Sequence, residues 1–138
     1  MIEMKNKLIN KFVESRLKQV LLNDLDSYQV KDSNEAYNLQ EIVNEKLSLS
    51  GLGEVIGYKI GCTNKSIQKE LGVNCPIFGP IFKNKIINNN KIIYIKEFTK
   101  VGVECEIYIK ISKEINENTN YNINTVSYTH LTLPTNAC

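Results

Sequence analysis

Several things are scarce in this chain of 138 residues, and each shortage removes a class of function. No apolar run approaches the length needed to span a bilayer, and the N-terminus has no apolar signal-peptide core. The formal charge of +2 is close to balance and the lysines are scattered, so there is no basic stripe for nucleic acid and no polybasic patch for a membrane surface. The four cysteines, Cys62, Cys75, Cys105 and Cys138, show no CxxC spacing and have no neighbouring histidine. That pattern points to packed cytosolic thiols rather than a zinc site or a disulfide framework. No internal repeat is present. A cytoplasmic protein with one modest domain is the expectation.

Histidine is the scarcest of the catalytic residue types. The only one, His130, lies in Ser127-Tyr128-Thr129-His130-Leu131-Thr132-Leu133-Pro134-Thr135. Up to about Val126 the chain is rich in Ile, Lys and Asn, and this stretch breaks that bias abruptly. It resembles a peptide encoded by sequencing-adapter DNA, so residues 127–138 are read as a non-native tail and set aside. The alternative is a genuine C-terminal strand. With His130 set aside, Ser-His, Cys-His and His-metal chemistries have no histidine to use.

What is present reads as helices followed by strands, an α+β arrangement. Leu8, Ile9, Phe12, Val13, Leu17, Val20 and Leu21 recur at helical spacing and predict an amphipathic helix, which Gln19 to Val30 closes. Asp32 or Ser33 caps a second helix with Glu35 in its first turn and a stripe of Ala36, Leu39, Ile42, Val43 and Leu47. Ser50-Gly51-Leu52-Gly53 ends it. Val55 to Gly61 reads as a glycine-flanked strand, and Lys65 to Leu71 as two helical turns stopped by Gly72. Cys75 to Pro80 is expected to be a loop, because its two prolines oppose regular pairing. Asn88-Asn89-Asn90 marks a turn before a strand at 91–95. The polar, Asn-rich stretch at 114–124 reads as a loop. These elements divide the chain into a helical region at 1–53 and the first part of a β-rich domain at 54–126.

The strongest chemical signal is Val103-Glu104-Cys105-Glu106-Ile107-Tyr108-Ile109. A β-branched run of this kind predicts a strand to about Ile111, with Glu104 and Glu106 on one face and Cys105 and Ile107 on the other. Two neighbouring carboxylates disfavour joint ionisation unless a cation or solvent stands between them. Hard oxygen donors suit Mg²⁺ or Mn²⁺ better than zinc. The alternative is a solvated face of an antiparallel strand.

Three segments together resemble the 2-keto-4-pentenoate hydratase group of the fumarylacetoacetate hydrolase superfamily. Ala36-Tyr37-Asn38-Leu39-Gln40 is similar to the family's "AYxxQ" helix. Gly57-Tyr58-Lys59-Ile60-Gly61-Cys62-Thr63-Asn64, with Leu71-Gly72-Val73 and Pro76-Ile77-Phe78-Gly79, resembles "GxKIGLTS…LGV…PDFG". Val103 to Ile107 is similar to "xEAEIAF". The resemblance covers the chain from the first helix to about Val126. Members are roughly twice as long, so the resemblance implies an N-terminal portion of such an enzyme.

The resemblance also implies a small-molecule 2-keto acid substrate and a Mg²⁺ or Mn²⁺ ion that chelates it. Glu104 and Glu106 match two of three carboxylate ligands, the third lying further along the family sequence. Lys59 matches a lysine that assists proton transfer, and Thr63, Phe78 and Gly79 match substrate-lining positions. Family members commonly form homo-oligomers. The activity implied is addition of water to a 2-hydroxy-2,4-dienoate in aromatic or keto-acid catabolism, with the truncated chain itself inactive. Where hydratases carry an acid in "PDFG", this chain has Ile77, closer to the "PIYG" of 4-oxalocrotonate decarboxylases. A metal-dependent decarboxylase is therefore the rival reading, and a non-catalytic remnant is the reading from a different class.

Overall fold

Alternating apolar and polar turns start the chain in a long helix, α1, over Ile2–Lys18. A computed structural model describes residues 2–23, 25, 28–111 and 131–132, for which everything below holds. α1 stops where Gln19 adopts a left-handed backbone with φ 56. The Val20 N–H then reaches back to the Ser15 carbonyl at 3.1 Å, a six-to-one closure that satisfies an otherwise orphaned acceptor. The helix thus ends where Gln19 is expected to close it, and Val20 and Leu21 lie beyond it, exposed.

The second helix, α2, spans Ser33–Leu47, with Asp32 at its N-cap. The Asp32 Oδ1 accepts the Glu35 N–H at 2.9 Å, and Glu35 Oε2 accepts the Lys31 N–H at 2.7 Å. Two orphan donors are thus satisfied by the two acids the sequence places there. A π-type turn at Ser48–Leu52 carries the chain out through Gly51 and Gly53, both at positive φ. Glycine suits position 53, where φ is 77 and a Cβ would stand 3.1 Å from the Asn84 carboxamide, which itself donates to the Gly51 carbonyl at 2.9 Å.

Strand β1 runs over Val55–Gly61 and pairs antiparallel with β2 at Ile77–Phe82. Between them α3, Lys65–Glu70, is capped by Asn64 and ends before Gly72. The expectation of a loop at 75–80 is corrected by β2. The Phe78 N–H and C=O are both bonded to side chains of α2, so they face away from β1. Pro80 has the same parity in the strand, so its missing donor falls on that outer edge, where a proline costs the ladder nothing.

One core joins helices and hairpin. Ile9 of α1, Val43 and Leu47 of α2, Leu52 of the π-turn and Phe82 of β2 are buried together, with Phe12, Val13, Leu39 and Val55 packed against them. The change of secondary structure near Gly53 is thus no boundary of packing.

Of two further expected strands, one is absent among the described residues and the other is reduced to two residues. Residues 91–94 run without a ladder into a 3-10 turn at Ile95–Glu97, after a turn at Asn89–Asn90. β propensity has no effect without a partner to pair with, and Ile92 and Ile95 remain 73% and 76% exposed. In the Glu-x-Glu segment pairing shrinks to β3, Tyr108–Ile109, which meets β4, Leu131–Thr132, in a two-residue antiparallel ladder. Glu104 and Glu106 therefore lie outside any strand. The chain divides into two units after Thr99, and β3 and β4 belong to the second. Residues 112–130 and 133–138, which include the Asn-rich stretch, His130 and most of the expected tail, lie outside the described residues. The whole is α+β.

Candidate functional site

The site is built on the hairpin. Lys59 stands opposite Gly79 in the register, with Gly61 opposite Ile77 and Gly57 opposite Ile81. Side chains at 57, 59 and 61 share one face with those at 77, 79 and 81. Three of the six are glycines, and at Gly57 and Gly79 an added Cβ would meet nothing within 4 Å. Lys59 thus stands on a nearly bare strip of backbone that another molecule can approach closely.

Phe78 occupies the opposite face and is held from α2. The Tyr37 ring stacks on it at 4.3 Å between centroids, 8° from parallel, and Tyr58 meets its edge at 5.7 Å. The Phe78 N–H donates to the Tyr37 hydroxyl at 3.3 Å, and Gln40 Nε2 donates to the Phe78 carbonyl at 3.3 Å. Tyr37 and Gln40 are three residues apart on one helical face, which is why "AYxxQ" can address both backbone groups of one residue.

A cavity of about 600 Å³ opens between α1, α2 and the hairpin. Lys59, Phe78 and Gly79, three of the residues singled out from the sequence, line it together with Gln40 and Ile77. Its floor is the core itself. The charged residues in its lining are two, Arg16 and Lys59, and both are cations. Apolar walls with a few convergent polar groups suit a small organic ligand, and guanidinium or ammonium groups suit a carboxylate on it. Arg16, Tyr37 and Gln40 were not among the residues the sequence marked for chemistry. Tyr37 and Gln40 were visible as a motif, but nothing local to α1 marks Arg16.

Thr63 lies past the end of β1, exposed and outside the lining. Nearby, Gln68 is almost wholly buried, and its Nε2 donates to the Cys62 carbonyl at 2.6 Å while Lys65 Nζ donates to its Oε1 at 3.0 Å. That bond pins the turn at Cys62, whose φ is 57. The packed thiols expected from composition are corrected: Cys75 and Cys105 are exposed and Cys62 half-buried, all three free. Cys75 follows α3 in a loop and Cys105 lies in the Glu-x-Glu segment outside any strand, so neither has an element to pack beneath.

Glu104 and Glu106 are exposed residues of the second unit. Their oxygen donors fit Mg²⁺ or Mn²⁺ in kind, but two carboxylates fall short of a coordination shell. Among the described residues no group of three or more His, Cys, Asp or Glu is placed to hold a metal ion. None of the helices described is long and apolar enough to cross a membrane.

By sequence the chain is a distant, partial match to an enzyme family, the 2-keto-4-pentenoate hydratases. It is 27% identical over 109 residues to 2-keto-4-pentenoate hydratase 2 of Dechloromonas aromatica, covering 79% of this chain and 41% of that protein. It is 31% identical over 84 residues to the 2-keto-4-pentenoate hydratase of Burkholderia vietnamiensis, covering 61% of this chain and 32% of that one. The TodF product hydratase of Pseudomonas putida is 29% identical over 84 residues, 61% of this chain and 31% of its own length. The chain thus spans about a third to two fifths of the length of the relatives it matches. No family model and no solved structure matches it.

Proposed function

We propose that this chain forms the keto-acid-binding part of a metal-dependent lyase that adds water to a 2-hydroxy-2,4-dienoate. The observation that carries the reading is the cavity, in which Lys59, Phe78 and Gly79 come together with Arg16 on otherwise largely apolar walls. A dienoate has an apolar chain for such walls and a carboxylate for the cations. The Lys59 ammonium donates a hydrogen bond to the oxyanion of the enolate, or passes a proton to the adjacent carbon, while the wall at Phe78 and Gly79 excludes water from the chain. Glu104 and Glu106, with a further acid from the rest of the protein, hold Mg²⁺ or Mn²⁺. Such a cation supplies stabilisation of negative charge on the keto oxygen. Thr63 drops out of the proposal because it stands outside the lining.

The test is loss of 2-hydroxypenta-2,4-dienoate by the full-length protein with Mn²⁺. Lys59→Met is expected to lower kcat by about 100-fold or more, the usual worth of a positioned proton-transfer group. This chain alone is expected to show no turnover, for want of a complete set of metal ligands. Turnover by the chain alone, or an unimpaired Lys59→Met enzyme, would overturn the reading. A second reading is favoured by Ile77, which lines the cavity where hydratases carry an acid. It is decarboxylation of a 2-oxo-hexenedioate, and CO₂ release by the full-length protein decides for it.

A further inference from the structure

Phe78 is 45% exposed, so the core, which is formed by Phe82 and its neighbours, does not depend on burying it. Yet α2 engages this one residue three times, through a stacked ring and through both its backbone polar groups. Antiparallel strands leave alternate N–H and C=O groups facing outward, and water alone satisfies them at an open edge. Side chains that replace water on both groups of one residue fix its position along the strand and its height above the helix. The next residue is Gly79, which pairs with Lys59, and Gln40, Phe78, Gly79 and Lys59 all line the cavity.

We propose that Tyr37 and Gln40 are positioning residues: they clamp the Phe78 backbone so that the wall at Gly79 is held in register with Lys59. The inference rests on the lyase reading and deepens it, since it assigns the "AYxxQ" helix a task at the site. Neither residue touches the reacting atoms. They act through Phe78, and loosening them lets the wall shift relative to the ammonium while leaving the cavity able to accept ligand. Displacements of about 1 Å at such a wall cost on the order of 100-fold in rate.

The experiment compares Tyr37→Phe, Gln40→Leu and the double variant in the full-length protein with Mn²⁺, measuring kcat and KM separately. Tyr37→Phe keeps the stacked ring and removes only the acceptor. The double variant is expected to lose about tenfold or more in kcat with KM within about threefold, a split that simple loss of folded protein does not produce. In parallel, the Phe78 amide of this chain is expected to gain faster hydrogen exchange in Tyr37→Phe, with the amides of Val43 and Leu47 unchanged. A double variant within about twofold of the parent in kcat, or one whose loss follows its folded fraction, overturns the positioning role. An unaltered Phe78 exchange rate overturns the clamp. An inactive parent overturns the lyase reading and this inference with it, an outcome distinct from an active parent with an indifferent variant.

Discussion

Gln68 shows how much one buried carboxamide can decide. Its donor end meets the Cys62 carbonyl at the left-handed turn after β1, and its acceptor end meets Lys65. Replacing it by leucine keeps the volume but strands a carbonyl, at a cost of about 1–3 kcal/mol. Urea unfolding of this chain is expected to show the midpoint falling accordingly, with the slope unchanged. A midpoint equal to the parent's would mean that water satisfies the carbonyl instead. Nothing in the sequence marked Gln68, because a glutamine in the polar series Lys65-Ser66-Ile67-Gln68-Lys69-Glu70 reads as surface. Lys59 and Gly79 were marked only by the resemblance to the hydratase motifs, and Arg16 was not marked at all, because a cation on an amphipathic helix reads as solvated until its neighbours across the fold are known.

At the scale of elements, helix starts and stops are the most local feature and the most faithfully encoded. Asp32 and Glu35 cap α2, and Lys5 of α1 pairs with Glu35, joining the two helices. The Lys5 ammonium, followed by the Lys31 N–H, holds the Glu35 carboxyl below its ordinary value of 4.5. Because the folded state binds that proton less readily than the unfolded chain, the stabilisation is full above pH 4.5 and is lost as pH falls through the lower folded value. Stability measured from pH 6 down to about pH 3 is expected to fall less steeply in Glu35→Gln than in the parent, and equal slopes would show that the pair contributes nothing. Strands are less locally encoded. Ile77–Phe82 pairs although it contains Pro80, because its outer edge faces α2. Residues 91–95 and 103–107 form no strand although they are rich in β-branched residues. Pairing needs a second strand, and propensity carries no information about whether one arrives.

At the scale of the whole molecule, the proposed lyase assigns metal binding to Glu104 and Glu106. Glu106→Gln in the full-length protein is expected to weaken Mn²⁺ binding by about tenfold or more and to abolish turnover, read by calorimetry and by the dienoate assay. Unchanged Mn²⁺ affinity would reduce the Glu-x-Glu pair to a solvated surface feature. The α+β class, the two helices with their caps, strand β1 and the family likeness are all matters of neighbouring residues: side-chain spacing, capping chemistry and glycine placement act within a few positions, so the order of residues suffices to specify them. The opposition of Lys59 to Gly79, the hold of Tyr37 and Gln40 on Phe78 and the cavity that unites them join positions about 20 to 40 apart in the chain. Those arrangements exist only once apolar burial of Ile9, Val43, Leu47, Leu52 and Phe82 has brought helices and hairpin onto one core.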